Sequence, residues 1–353
     1  MNKIIIRILP VLLTLLICLP ACVPVQGNEA SSGRGKQQIH EAAGPALLDV
    51  VRWQFLNTTR PVDKGRIYAG QAIDHELLKQ QITQTLRYNN LEVIPPVHFR
   101  LECPPNLLVV SPRDRISYLD RVLLKPDLTT SEMSEIEDRV DKLNYSSLVV
   151  KLGGLGAAYP AIISPDLSPA QIINVAVEEW AHQFLALRPL GSLYLLDCLG
   201  IRQPPDIIVM NESLAGIIAD EIGGQVYRNY YAPTYSWEQK GKSPTIKFDF
   251  DAEMRETRRN ADNLLKAGEI EAAERYMSGR RDFFAQNGYA IRKINQAYFA
   301  FHSIYGDDPS AVSPVYRYLL DLKQKHKTLA DFVSDVSSMT DVSQLKEAAL
   351  RQH

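Results

Sequence analysis

Residues 168–189 constrain this chain more than any other stretch. Ser168-Pro169-Ala170-Gln171 opens a helix: Ser168 can cap it, Pro169 suits the first helical position, and Gln171 completes a capping box. The helix runs from Ile172 to about Leu187, where Arg188-Pro189 stops it. Ile172, Ile173, Val175, Ala176, Val177, Trp180, Ala181, Phe184 and Leu185 make it apolar on every side, which marks a buried helix. Yet Glu178, Glu179 and His182 sit in its middle. Two adjacent buried carboxylates cost several kcal/mol each unless something offsets them, and a divalent cation does so naturally. Glu178 and His182, four positions apart, share one face. Glu179 is turned by about 100° and flanks whatever they bind.

A second signal follows at Met210-Asn211-Glu212-Ser213-Leu214-Ala215. The segment Val177-Glu178-Glu179-Trp180-Ala181-His182 resembles the His-Glu-x-x-His helix of zincin metallopeptidases, with Glu178 in place of the first histidine. Asn211-Glu212 resembles the helix that supplies the third ligand in gluzincins. The resemblance covers residues 170–225 and extends more loosely to Arg292-Lys293-Ile294-Asn295-Gln296-Ala297-Tyr298. It implies an α+β, zincin-like fold and hydrolysis of peptide bonds in a peptide or protein substrate. His182 and Glu212 would bind Zn2+ or another divalent cation, with Glu178 as the remaining ligand. Glu179 would be the general base for the metal-activated water. Asp220 would orient His182, and Tyr298 or Tyr305 would donate a hydrogen bond to the developing oxyanion. The exchange of His for Glu makes the ligand set harder and more anionic and the bound water less acidic. The second reading is therefore a catalytically inactive zincin-fold protein that binds peptides or serves the cell envelope.

A plainer account needs no metal. Glu178 and Glu179 would pair with Arg188, Arg202 or Arg292, and His182 would be a satisfied core histidine; Glu178, His182 and Glu212 would then not converge. His302 is expected in a core or surface role, with metal ligation as the other reading. Leu152-Gly153-Gly154-Leu155-Gly156 lacks the Lys-Ser or Lys-Thr of a phosphate loop. It reads as a turn, or as part of an edge strand in 147–164 that would bind substrate backbone as an added strand.

Before the acidic helix the pattern is mixed. Helices are expected at 46–57, 75–88 and, capped by Thr130 or Ser131, to about Leu143. Strands are expected at 97–101, 107–110, 147–152 and 157–164. After Ser168 it is almost wholly helical, with a hairpin around Gly268 and a closing amphipathic tail at 329–350. Residues 46–353 thus read as one domain, mixed α/β over 46–167 and helical over 168–353. A chain of 353 residues with 45% hydrophobic composition can bury a substantial core. A net charge of -2 offers no field for nucleic acid.

Residues 1–22 differ in kind. Lys3 and Arg7 precede an apolar run over 9–19, and Leu19-Pro20-Ala21-Cys22 follows. This layout resembles a bacterial lipoprotein signal, which implies a lipid on Cys22, anchorage to the membrane and an extracytoplasmic location. Residues 23–45, rich in Gly, Ser, Gln and Glu, read as a flexible tether. Cys103 and Cys198 could pair in an oxidising compartment or remain buried free thiols.

Overall fold

The structure, a computed structural model, describes residues 30–59, 74–198, 201, 203–232 and 248–351. The signal segment, Cys22, Arg202 and the first part of the expected tether lie outside them.

The first element contradicts the tether. Residues Ala30–Ala43 form a helix, α1. Its composition is polar, but Gly35, Ile39 and Ala43 recur every fourth position and all are buried. That narrow stripe is enough to seat a helix, and Arg139 Nε donates to the Ala42 carbonyl at 2.7 Å. A short 3-10 turn, Gly44–Ala46, leads to α2 (Val50–Thr59), and α3 covers His75–Tyr88 with Asp74 as its cap.

Two three-stranded sheets follow. In the first, β2 (Asn106–Pro112) lies between β3 (Asp120–Leu124) and β4 (Tyr145–Lys151), all antiparallel. Both faces are covered, so β2 reads as an apolar run. Leu108 and Val110 join Ile39, Met133, Ile136 and Val140 in one cluster, together with residues of α1 and of α4 (Thr130–Asp141). Val109 turns to the other side. The cap of α4 is Thr129, one residue earlier than expected, because Glu132 completes its capping box. In the second sheet, β6 (Ala161–Ile163) pairs in parallel with β1 (Phe99–Leu101) and antiparallel with β5 (Gly154–Leu155), which forms an edge.

The helical half comprises α5 (Pro169–Leu185), α6 (Pro189–Cys198), α7 (Pro205–Val226) and a π turn, Tyr227–Tyr231. The hairpin is α8 (Phe250–Lys266) and α9 (Ile270–Gln286), turning at Gly268 with φ +77°, a backbone angle that suits glycine. Four shorter helices complete it: α10 (Gln296–His302), α11 (Val315–Lys323), α12 (Leu329–Ser337) and α13 (Val342–Leu350). The largest cluster packs α5 and α7 with α3, the second sheet and α11 to α13. The hairpin and α10 cover the outer face of the first sheet, where Val109 and Leu148 meet Met254, Met277 and Phe299. The chain is therefore α+β with a helical majority. Among the described residues no helix is long and apolar enough to cross a membrane.

Several ion pairs tie the two halves, and the most buried is that of Glu137 with Arg292. Glu137 of α4 is buried and accepts both guanidinium arms of Arg292, at 2.9 and 2.5 Å, and the Val149 N–H at 2.6 Å. Removing the guanidinium leaves the buried carboxylate with only Lys293 at 3.5 Å and the Val149 N–H. Arg292→Ala should lower unfolding stability by about 3 kcal/mol in urea titration.

Candidate metal centre

The site is built on two neighbouring helices. α5 and α7 approach closely because Gly223 carries no side chain; a Cβ there would lie 3.3 Å from Asn174 Cα. Glu178 and His182 project from α5 and Glu212 from α7. Each offers one ligand atom, and these atoms all lie within 4.8 Å of one another. His182 Nε2 is 3.5 Å from Glu212 Oε2. Its Nδ1 lies 3.2 Å from Asn211 Oδ1; with the proton on Nδ1 and donated to that oxygen, Nε2 is the ligating nitrogen.

Glu212 is divided between two partners. Oε2 faces the imidazole, while Oε1 accepts a 2.7 Å hydrogen bond from the Tyr194 hydroxyl of α6. The Tyr194 ring also stacks on His182, with centroids 5.8 Å apart and planes 18° from parallel. Behind Tyr194, Asp197 pairs with Arg121 of β3 at 2.5 Å, and that guanidinium lies 5.0 Å from the Tyr118 ring.

Glu179 sits beside this group, buried and gripped by the glycine-rich stretch. Gly156 donates its N–H to the carboxylate. A Cβ at Gly154 or Gly156 would collide with the Glu179 carboxylate oxygens, so both positions exclude a side chain. Gln183, one turn on, holds the stretch down by donating to the carbonyls of Gly156 and Ala158 at 3.2 and 2.8 Å. The Gly154–Leu155 edge strand thus runs directly over α5.

Burial dominates the electrostatics. It pushes the Glu179 carboxyl up to about 8, against the pull of His182 and with added repulsion from Glu178 and Glu212. Burial alone would lower His182, but Glu212, Glu179 and Glu178 outweigh it and the imidazole is raised. Burial, then the charge of Glu212, raises the hydroxyls of Tyr194 and Tyr305 well above their ordinary value, so both stay protonated as donors.

The expected site residues separate into two groups. Glu178, Glu179, His182 and Glu212 come together, and the buried Tyr305 hydroxyl lies near enough to feel the charge of all three carboxylates. Asp220 and Tyr298 do not join. Eight residues along α7 carry Asp220 about 12 Å from Glu212 and off its face. It accepts from Asn174 at 2.8 Å and is exposed, and Asn211 takes the place at the imidazole. Tyr298 packs on His302, with centroids 4.2 Å apart, in the core under the hairpin. His302 pairs with Asp308 at 3.0 Å, outside the ligand cluster. Arg188 pairs with Glu92 and Arg292 with Glu137, so neither supplies the charge balance that a metal-free account needs. Cys103 and Cys198 are free thiols rather than a bridge. Asn211, Tyr194 and Gln183 escaped the sequence reading. Only Asn211 carried a signal, as the neighbour of Glu212 in its motif.

Compared with protein-family models, curated proteins and solved structures, the chain matches none.

The donor set fits a divalent cation: two carboxylates and an imidazole converge, and Asn211 can hold the imidazole in the ligating tautomer. Two outcomes follow. Tyr194→Phe should weaken Zn2+ or Co2+ binding roughly tenfold in competition titrations, because Glu212 loses the bond that orients it. Metal-free protein should lose stability as pH rises. Glu179 and His182 both bind protons more tightly folded than unfolded, so their contribution is complete in acid; that of Glu179 disappears as pH climbs from about 4.5 through about 8, and that of His182 as pH rises above 6.5 through its raised folded value. Glu179→Gln should flatten that slope by on the order of a few kcal/mol, read as Tm against pH in chelator.

Proposed function

We propose that this chain is a metal-dependent peptidase of gluzincin type with a zincin-like fold, held outside the membrane by a lipid on Cys22. The observation that carries the reading is the convergence of Glu178, His182 and Glu212, from two separate sequence motifs, beside a third carboxylate, Glu179. A divalent cation bound there would supply Lewis acidity for the scissile carbonyl and the attacking water.

The remaining chemistry belongs to the chain. Glu179 stands beside the ligands rather than among them, so it is placed to take a proton from the attacking water and pass it to the leaving amine. Its raised proton affinity suits that task near neutral pH. The Tyr305 hydroxyl, kept protonated by burial and then by the charge of Glu212, would donate to the developing oxyanion. The β5 edge, beside Glu179 and paired on its inner side only among the described residues, would align an extended peptide through main-chain hydrogen bonds.

A second reading keeps the scaffold without turnover, and Glu178 is the residue that favours it: a ligand set richer in carboxylate lowers the acidity of bound water. One experiment separates the two. The purified protein is assayed for metal content and for cleavage of a peptide library, beside Glu179→Gln. For a peptidase, the wild type holds about one equivalent of metal. The variant keeps that metal and loses at least roughly a hundredfold in kcat/KM. Metal retention without cleavage in the wild type assigns the chain to binding, and a wild type that holds no metal removes both the site and the enzyme.

A further inference from the structure

The second cavity of interest lies away from the ligand cluster, between α8 and residues 309–312. It has a volume of about 310 Å3 and is lined by Arg255, Arg258, Arg259 and Lys266 against one carboxylate, Asp262. Arg258 and Arg259 follow Arg255 by three and four positions, and Lys266 follows Arg259 by seven, so one face of α8 presents them all. The protein as a whole carries a net charge of -2, so this concentration of positive charge is local.

Arg258 is the built part of the cavity. It is only 6% exposed. Its Nε donates to Asp262 at 2.9 Å, and one terminal nitrogen donates to the Ser310 carbonyl at 3.4 Å and to the Ser303 hydroxyl. Its guanidinium lies 5.5 Å from the Phe299 ring centroid. Asp262 is thereby engaged with Arg258, and does not neutralise the others. Arg255, Arg259 and Lys266 are exposed and make no ion pair among the described residues. The opposite wall is firm: Asp308 accepts from the N–H and hydroxyl of Ser310 at 2.8 and 2.7 Å and pairs with His302.

Three unpaired cations around a small concave space, next to a buried guanidinium already held in place, form an anion receptor. A lone carboxylate is satisfied by one guanidinium fork. Four cations against one acid match a ligand with more charge and more acceptor oxygens. We propose that the cavity between α8 and residues 309–312 binds a phosphate-bearing anion. Free phosphate and the phosphate of a lipid headgroup share this chemistry. The assignment stands on the hairpin alone and does not depend on the metal centre.

The test titrates the protein with inorganic phosphate and, separately, with glycerophosphoglycerol, a headgroup freed of its acyl chains. Calorimetry is run at low and at physiological ionic strength. Wild type should bind at least one of the two saturably, more weakly as salt rises. Tighter binding of glycerophosphoglycerol identifies a lipid source, and equal or tighter binding of phosphate a soluble one. Arg255→Glu with Arg259→Glu, both at exposed positions, should weaken binding at least tenfold with Tm unchanged. Lys266→Glu alone, at the end of α8, should weaken it severalfold and serves if the double variant folds poorly. Arg317→Glu, on α11, should leave it unchanged. No saturable binding of either probe, or wild-type affinity in the α8 variants, overturns the proposal.

Discussion

Taking the Glu179 carboxylate out of water, next to a second carboxylate on the same helix, is the constraint around which the centre of this molecule is arranged. Glu179 is buried beneath the β5 strand, while Glu178 beside it is half-buried and turned toward His182 and Glu212. Each neighbour contributes a partial answer. The Gly156 N–H and a raised proton affinity serve Glu179. The imidazole of His182, drawn toward the protonated state by the facing acids, serves Glu178 and Glu212 in the absence of metal. Glu178, His182 and Glu212 thus form a group that could hold a divalent cation, and a cation entering it would displace protons held there.

Much of this arrangement was visible in the sequence where local rules govern. The capping box at Ser168, the apolar wrap of α5 and the four-residue spacing of Glu178 and His182 depend on near neighbours alone, and the structure reproduces the cap and the helix. The hairpin at Gly268 and the span of α3 are similar cases. Asn211-Glu212 was legible as a motif, but its distance from His182 was not, because that depends on how α5 and α7 cross. Tyr194 carried no signal at all: it lies among leucines of α6 outside any motif, and only the docking of that helix turns its hydroxyl onto Glu212. Asp220 failed because helical periodicity was applied without the rise along the axis. The tether failed because composition outvoted a stripe of only three residues, Gly35, Ile39 and Ala43.

The charged groups away from the centre are dealt with differently. Glu137 is as deeply buried as Glu212, yet it meets Arg292, Lys293 and a backbone N–H, a set that is complete within the chain. Glu212 meets a tyrosine hydroxyl and a histidine. The contrast distinguishes a carboxylate that locks two layers together from one whose negative charge remains available.

The missing side chain at Gly223 has a reach beyond its own contact. It sets the separation of α5 and α7, and the donor atoms of the centre are distributed across that seam. A methyl group set 3.3 Å from Asn174 Cα, three turns from Glu212, would have to push the seam apart at its far end. For a cation held across that seam, the fit to its radius would then change from a position that never touches it.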